Sequence, residues 1–123
     1  MVEADRFLCR PVEPQTPYCE AVDQRALRSA LLRALDVYPL VVVEGAIVWP
    51  LVLPLPIERV RVRRVYLKRM MHLQPDVWQD ERAIIFQNPP PSSVFTRSIV
   101  RYHHDERPWR AADLVLERIE PAP

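Results

Sequence analysis

Residues 57–70 read IERVRVRRVYLKRM, where valine alternates with arginine until the pattern shifts by one residue at Arg63 and Arg64. Such alternation is typical of a strand with one buried face. Without a break it would leave arginine on both faces. A one-residue bulge at the shift restores one apolar face. The residues that then point inward are Val60, Val62, Val65 and Leu67. Those that point outward are Arg59, Arg61, Tyr66 and Lys68. Long, bent strands of this kind are typical of small closed barrels.

The composition is that of a single globular domain whose turns are built from proline. The chain has 123 residues, enough for one core but not for two. Apolar residues make up 49% and charged residues 27%, which excludes a disordered tail. Fourteen prolines stand against one glycine, so turns are expected to be long. Extended proline-rich segments often lie along a partner, which favours a subunit of an assembly over an isolated enzyme.

The charge balance excludes a strong overall attraction to nucleic acid, because 17 basic residues face 16 acidic ones and the net charge is +1. Any basic function must be local. Cys9 and Cys19 have a nine-residue gap that matches no zinc or thioredoxin motif, so both are expected to be reduced thiols. No secretory signal or transit peptide is visible, which predicts an intracellular protein of undetermined compartment.

The first third of the chain predicts an arm followed by a helix. Residues 1–20 carry Pro11, Pro14 and Pro17 at three-residue spacing, which favours an extended arm. Residues 20–36 predict an amphipathic helix of about four turns. Its apolar stripe consists of Val22, Ala26, Leu27, Ala30, Leu31, Ala34 and Leu35.

Residues 40–55, LVVVEGAIVWPLVLPL, allow two interpretations. The first is a buried strand over residues 41–49 with a kink at Gly45. The second is a membrane helix over residues 37–57, which Glu44 and four prolines oppose, so we expect no span. Within a strand, Glu44 is a candidate buried charge paired with an arginine of residues 59–64. Its alternative is an edge position that faces water.

The rest of the chain predicts a crossover and three more strands. Residues 70–81 suit a short helix or an irregular crossover, and residues 82–88, 93–103 and 112–119 read as strands. The predicted fold is α+β and mostly β: a small OB-like or similar bent β-barrel of about five strands, with an N-terminal amphipathic helix and an extended proline-rich N-terminal arm. The predicted divisions are an arm at 1–20, one globular domain at 21–120 and a tail at 121–123.

Candidate chemical groups are few, and each has a simple structural interpretation. Adjacent His103 and His104 on a strand would point to opposite faces, so the run with Asp105 reads as a solvated strand end. A zinc site of Cys9, Cys19 and His72 has no recognised spacing. Ser92 and Ser93 have no base nearby in sequence that could activate a hydroxyl as a nucleophile. A phosphate-binding loop needs several glycines, and the chain has only Gly45. We therefore predict no enzyme activity, catalytic residue, metal, cofactor or small-molecule substrate.

Three function classes remain. The first is a non-catalytic accessory subunit that binds other protein subunits through the arm and an arginine-rich strand face. The alternatives are a single-stranded nucleic-acid-binding OB-like module and a small membrane-embedded subunit that uses residues 37–57. We expect the arginines to pair with acids more than with phosphates. The candidate interaction face consists of Arg59, Arg61, Arg63, Arg64, Tyr66, Lys68, Arg97, Arg101 and Tyr102.

Overall fold

Five α-helices, one 3-10 helix and two small parallel sheets form the regular structure of the described residues. The computed structural model describes residues 1–53, 60–81, 91–119 and 121. In chain order the elements are β1 (Val2–Glu3), a 3-10 helix (Ala4–Phe7), α1 (Tyr18–Ala21), α2 (Gln24–Val37), β2 (Val43–Glu44), α3 (Trp49–Val52), β3 (Val65–Met70), α4 (Val94–Glu106), α5 (Pro108–Ala111) and β4 (Leu114–Ile119).

These elements form two compact units. Unit 1 consists of Met1–Pro56 together with Ser92–Ile99, and unit 2 consists of Ile57–Pro91 together with Val100–Pro123. Helix α4 contributes its first residues to unit 1 and the remainder to unit 2.

Unit 1 is built around Tyr18, which is only 1% exposed. Its hydroxyl donates a hydrogen bond to the carboxylate of Asp5, and its backbone N–H donates to Ser98 Oγ at 2.9 Å. Gly45 lies against the same ring: a Cβ there would be 2.9 Å from Ala4 Cβ and 3.0 Å from the Tyr18 hydroxyl oxygen. The glycine is therefore required by close packing. The other buried apolar residues of unit 1 are Ala4, Ala21, Val22, Leu27, Leu31, Ile47 and Leu51.

Helix α2 forms for the reasons that the sequence indicates. The Asp23 side chain accepts a hydrogen bond from the Ala26 N–H at 2.9 Å, which caps the first turn. Leu27 and Leu31, four residues apart, are buried on one side. The predicted amphipathic helix is confirmed, although it begins at Gln24 and not at residue 20.

Unit 2 is organised around the parallel pair β3 and β4, in register from Val65 beside Leu114 to Met70 beside Ile119. Parallel strands need a long crossover, which here includes α4 and α5. At the start of the pair, the Arg64 N–H donates to Asp113 Oδ2 at 2.7 Å, and the Asp113 N–H donates back to the Arg64 carbonyl at 2.8 Å. This reciprocal pair of hydrogen bonds holds the register.

The predicted OB-like barrel is wrong. The described residues form two parallel two-stranded sheets, β1 with β2 and β3 with β4, and no closed barrel. Nor do residues 1–20 form an extended arm, since they include β1, the 3-10 helix and the start of α1. The predicted strand at 112–119 is confirmed as β4, whereas the one at 82–88 lies outside the described residues.

The predicted strand at 93–103 is a helix instead, α4. Ser93 Oγ accepts a hydrogen bond from the Thr96 N–H at 3.0 Å and so caps the first turn. Phe95, Ile99 and Tyr102 then recur at helical spacing, each partly buried. β-branched and aromatic residues favour a strand only weakly, and packing overrode that preference here.

Two other strand predictions also need correction. In residues 41–49 the strand covers only Val43–Glu44, and α3 begins at Trp49. The bulge predicted at Arg63 and Arg64 is absent, because β3 begins at Val65 and residues 60–64 are outside any strand.

Among the residues that the structure describes, no helix combines the length and the apolar character needed to cross a bilayer.

Candidate functional site

The two faces of the β3–β4 sheet differ in what covers them. Side chains alternate between faces along a strand, and directly paired residues of neighbouring strands share a face. Val65, Leu67, Leu114 and Leu116 therefore lie on one face, which we call the open face, and they are 55%, 45%, 52% and 47% exposed. Aliphatic side chains on a parallel sheet are normally covered. The open face is thus an exposed apolar surface.

An aromatic cluster covers the β3 half of the opposite face, whereas Val115 and Ile119 of β4 on that face are 38% and 55% exposed. The Tyr66 ring packs edge-on against three rings: Trp78 and His103 at 6.1 Å between centroids, and Trp109 at 5.7 Å. Trp78 and Trp109 also contact each other, with centroids 4.9 Å apart and planes at 81°. The Lys68 ammonium lies 4.8 Å from the centre of the Trp78 ring, a cation–π contact. The cluster therefore covers the Tyr66 side of β3 and leaves Val65 and Leu67 uncovered.

An ion pair attaches the segment after β3 to that strand. Asp80 is 7% exposed, and its two carboxylate oxygens accept hydrogen bonds from Nε and Nη2 of Arg69. Such a bidentate pair fixes the geometry as well as the charge. A backbone hydrogen bond of 3.0 Å from the Met71 N–H to the Val77 carbonyl closes the same turn. Trp78 is thereby held beside Tyr66.

Unpaired arginines lie at both ends of the open face. Arg61 and Arg63 precede β3 and are exposed, while Arg118 lies on the open face two residues beyond Leu116 and is also exposed. Among the described residues, none of these three arginines forms an ion pair. Two acids also lie near these ends: Asp113 beside Arg64 at the first, and Asp80, paired with Arg69, at the second. Arg69 is directly paired with Arg118 in the sheet, so the unpaired charge at each end is positive.

The structure distributes the nine residues of the predicted interaction face among several places. Arg59 lies outside the described residues, and Arg64 is exposed beside Arg61 and Arg63. Tyr66 and Lys68, predicted to point outward, belong to the covered face, whereas Val65 and Leu67 are exposed. The predicted sidedness of this strand is therefore reversed.

The remaining predicted residues lie on helix α4. Arg97 belongs to unit 1, where its Nη2 donates to the Ser92 carbonyl at 2.9 Å. Arg101 forms an ion pair of 3.3 Å with Asp105, and the Tyr102 ring packs edge-on against His103 at 5.4 Å. These side chains have local contacts and do not extend an arginine-rich strand.

Glu44, the candidate buried charge, is exposed in β2. It occupies the water-facing edge position that the sequence also allowed. Cys9 is exposed and Cys19 half-buried, and neither forms a disulfide.

His104 and Asp105 are neighbours on α4 and do not mark a strand end. Their Nδ1 and Oδ1 atoms are 2.8 Å apart, and the hydrogen bond from His104, followed by the one from Arg101, holds the pKa of Asp105 below its usual value. Within residues 1–53, 60–81, 91–119 and 121, no group of three histidine, cysteine or acidic side chains could hold a metal ion.

Sequence reasoning missed the residues that create the site. Trp78 and Trp109 pack on the Tyr66 side of β3, yet they are 31 positions apart in sequence and each is followed directly by a polar residue, Gln79 or Arg110. Leu114 and Leu116 were assigned to a strand but not to a site. The available signal was the run LVL at 114–116, which is apolar on both faces of a strand.

The tyrosine of the aromatic cluster predicts a pH dependence. Burial, followed by the negative charge of Asp80, raises the pKa of Tyr66 to about 12. The pKa of tyrosine in the unfolded chain is about 10. The neutral hydroxyl of Tyr66 therefore contributes its full stabilisation below pH ~10. This contribution is lost as the pH rises through about 12. We expect urea unfolding to give a falling free energy above pH ~10, with a smaller fall in Tyr66→Phe.

The control is Tyr38→Phe, because Tyr38 is 61% exposed. That variant should lose stability with pH as the unmodified chain does. An equal loss in the Tyr66→Phe and Tyr38→Phe variants would contradict the assignment to the cluster.

Compared with protein-family models, curated proteins and solved structures, the chain matches none of them. The geometry of the open face is therefore the basis on which a function is assigned.

Proposed function

We propose that this chain is a non-catalytic accessory subunit of a larger protein assembly and that it binds a partner protein through the open face. The supporting observation is the half-exposed aliphatic surface formed by Val65, Leu67, Leu114 and Leu116. A two-stranded sheet is marginal by itself, and parallel sheets are normally covered on both sides. A partner that covers the second side would remove this surface from water.

The composition of the surface supports a protein partner. Protein interfaces have an apolar centre and a polar rim, and they are enriched in arginine. Here the apolar centre is the open face, and the rim includes Arg61, Arg63 and Arg118. Contiguous exposed apolar patches of this kind mark interaction sites on monomeric chains.

The contacts of the aromatic residues do not favour the nucleic-acid alternative. Base stacking needs accessible ring faces beside a basic groove. The Tyr66 ring is contacted by three other rings, and Lys68 is engaged with Trp78. These groups stabilise unit 2, so they are not arranged as a stacking platform.

Purification from the native cells tests the proposal with two matched variants. Leu116→Glu places a charge on the open face, while Ile119→Glu places one on the same strand but the opposite face, where Ile119 is 55% exposed. We expect the tagged chain to retain a protein partner in fixed stoichiometry, the first variant to lose it and the second to keep it. Equal retention by both variants would refute binding through the open face.

A further inference from the structure

We infer that the partner covers the open face with a single amphipathic helix whose apolar stripe is flanked by acidic residues at both ends. This inference rests on the proposed function and adds the chemistry of the partner. It follows from the layering of unit 2, the dimensions of the sheet and the positions of the unpaired arginines.

The layering favours a helix over an added strand. Parallel sheets in α/β proteins carry helices on both faces. In unit 2 the β3 half of one face is covered by the aromatic cluster, to which α4 contributes His103 and α5 contributes Trp109. Within the part of the chain that the structure describes, the aliphatic side chains of the open face stay about half exposed, so no second helical layer covers them. An added strand would extend the sheet edge and leave Leu67 and Leu116 exposed.

The dimensions set the size of that helix. Two paired strands lie about 5 Å apart, so the sheet is about as wide as one helix of ~10 Å diameter. Strands β3 and β4 each have six residues, and a six-residue strand is about 20 Å long. A helix of that length has about 13 residues, or between three and four turns.

The charges select an acidic partner. Arg61 and Arg63 lie at the end where the strands begin, and Arg118 lies near the end where they finish. Acidic side chains at the two ends of the helix would reach these arginines once the apolar stripe covers Leu67 and Leu116. Opposite charges at a rim steer association and set its register.

A second copy of the chain fits less well. If two open faces packed against each other, arginines would meet arginines in either strand orientation, because both ends of the face are basic. Helix α2 of another copy is no better, since Arg25, Arg28 and Arg33 are exposed on it. Like charges brought together oppose such pairings.

The test uses the purified full chain and designed peptides. The probe is a 14-residue peptide with leucines at positions 4, 7, 8 and 11 and two glutamates at each end, and a staple on its polar side keeps the short helix formed. The control peptide carries lysines in place of the glutamates. Fluorescence anisotropy should give the glutamate peptide an affinity at least tenfold tighter, and added salt should reduce it.

Variants of the chain locate the binding. Leu116→Glu should weaken binding of the glutamate peptide tenfold or more. Ile119→Glu should leave the affinity for this peptide within threefold of that of the unmodified chain. Arg118→Glu should weaken binding of the glutamate peptide and strengthen binding of the lysine peptide. Circular dichroism checks that each variant keeps the fold of the unmodified chain.

Three results would overturn the inference. One is equal binding of both peptides. Another is a dimer in light scattering that Leu116→Glu abolishes, which would make a second copy the occupant. A third is sedimentation with phosphatidylserine vesicles that depends on Leu116 while the glutamate peptide fails to bind.

The outcomes also separate this inference from the proposed function. If neither peptide binds but native co-purification still depends on Leu116, the proposed role as an accessory subunit is kept and the acidic helix as its partner is rejected. If native co-purification is the same for Leu116→Glu and Ile119→Glu, the proposed function itself is rejected.

Discussion

Replacement of Tyr18 by alanine is expected to lower the free energy of unfolding by about 3–5 kcal/mol, the range for loss of a large buried aromatic side chain. Tyr18 is 1% exposed, and its ring packs against Phe95 with centroids 5.7 Å apart. Its hydroxyl donates a hydrogen bond to the carboxylate of Asp5. One substitution therefore removes a core ring and one side-chain hydrogen bond.

Tyr18→Phe separates the two contributions, because it keeps the ring and removes only the hydroxyl. We expect it to cost about 1–3 kcal/mol from the loss of the hydrogen bond to the Asp5 carboxylate. Urea unfolding followed by far-UV circular dichroism gives both values, and hydrogen exchange at Leu27 and Leu31 reports unit 1 specifically. Tyr38→Ala, at a position that is 61% exposed, serves as the control and should change stability by less than about 0.5 kcal/mol. A similar small effect for Tyr18→Ala would contradict the central place of Tyr18 in unit 1.

In unit 2, Trp109→Ala is expected to produce the largest loss in the free energy of unfolding, about 2–4 kcal/mol. This is somewhat below the range for a fully buried tryptophan, because Trp109 is partly exposed. Trp109 contacts both Trp78 and Tyr66, so its removal takes away two of the ring contacts that cover β3. The consequence for function is indirect: a loosened cluster no longer packs against Tyr66 of β3, and the open face loses its support from behind.

The measurement combines unfolding with binding. Urea unfolding should show the loss of stability, and the glutamate peptide should bind more weakly to Trp109→Ala although Trp109 is not on the open face. Trp109→Phe, which keeps an aromatic ring, should recover most of both. Unchanged peptide affinity in a clearly destabilised Trp109→Ala chain would show that the open face does not depend on the cluster.

The open face and the aromatic cluster together explain why the arginine-rich stretch misleads. In residues 57–70 the alternating charged residues predict that arginine and lysine lie on the solvent-exposed face of a strand. In the structure, Lys68 lies over Trp78 and Arg69 pairs with buried Asp80, while Val65 and Leu67 are exposed. Long cationic side chains can pack their stems and reach a partner, so charge alone does not place a residue in water.

The sequence by itself determined the elements whose causes are local. Helix α2 has its cap at Asp23 and its apolar stripe within one short segment, and β4 begins with the apolar run at 114–116. Periodicity and capping act over a few residues, so both can be recognised without a structure.

Only the tertiary structure decided between helix and strand in residues 93–103, the parallel pairing of β3 with β4 and the sidedness of β3. Each depends on contacts between residues far apart in sequence. The Tyr66 face is covered because Trp78 and Trp109 pack on it, and large aromatic rings bury more apolar area than valine or leucine. The candidate site was therefore hidden from sequence reasoning: Leu114 and Leu116 could be assigned to a strand, but which face stays uncovered depends on the packing of those distant tryptophans.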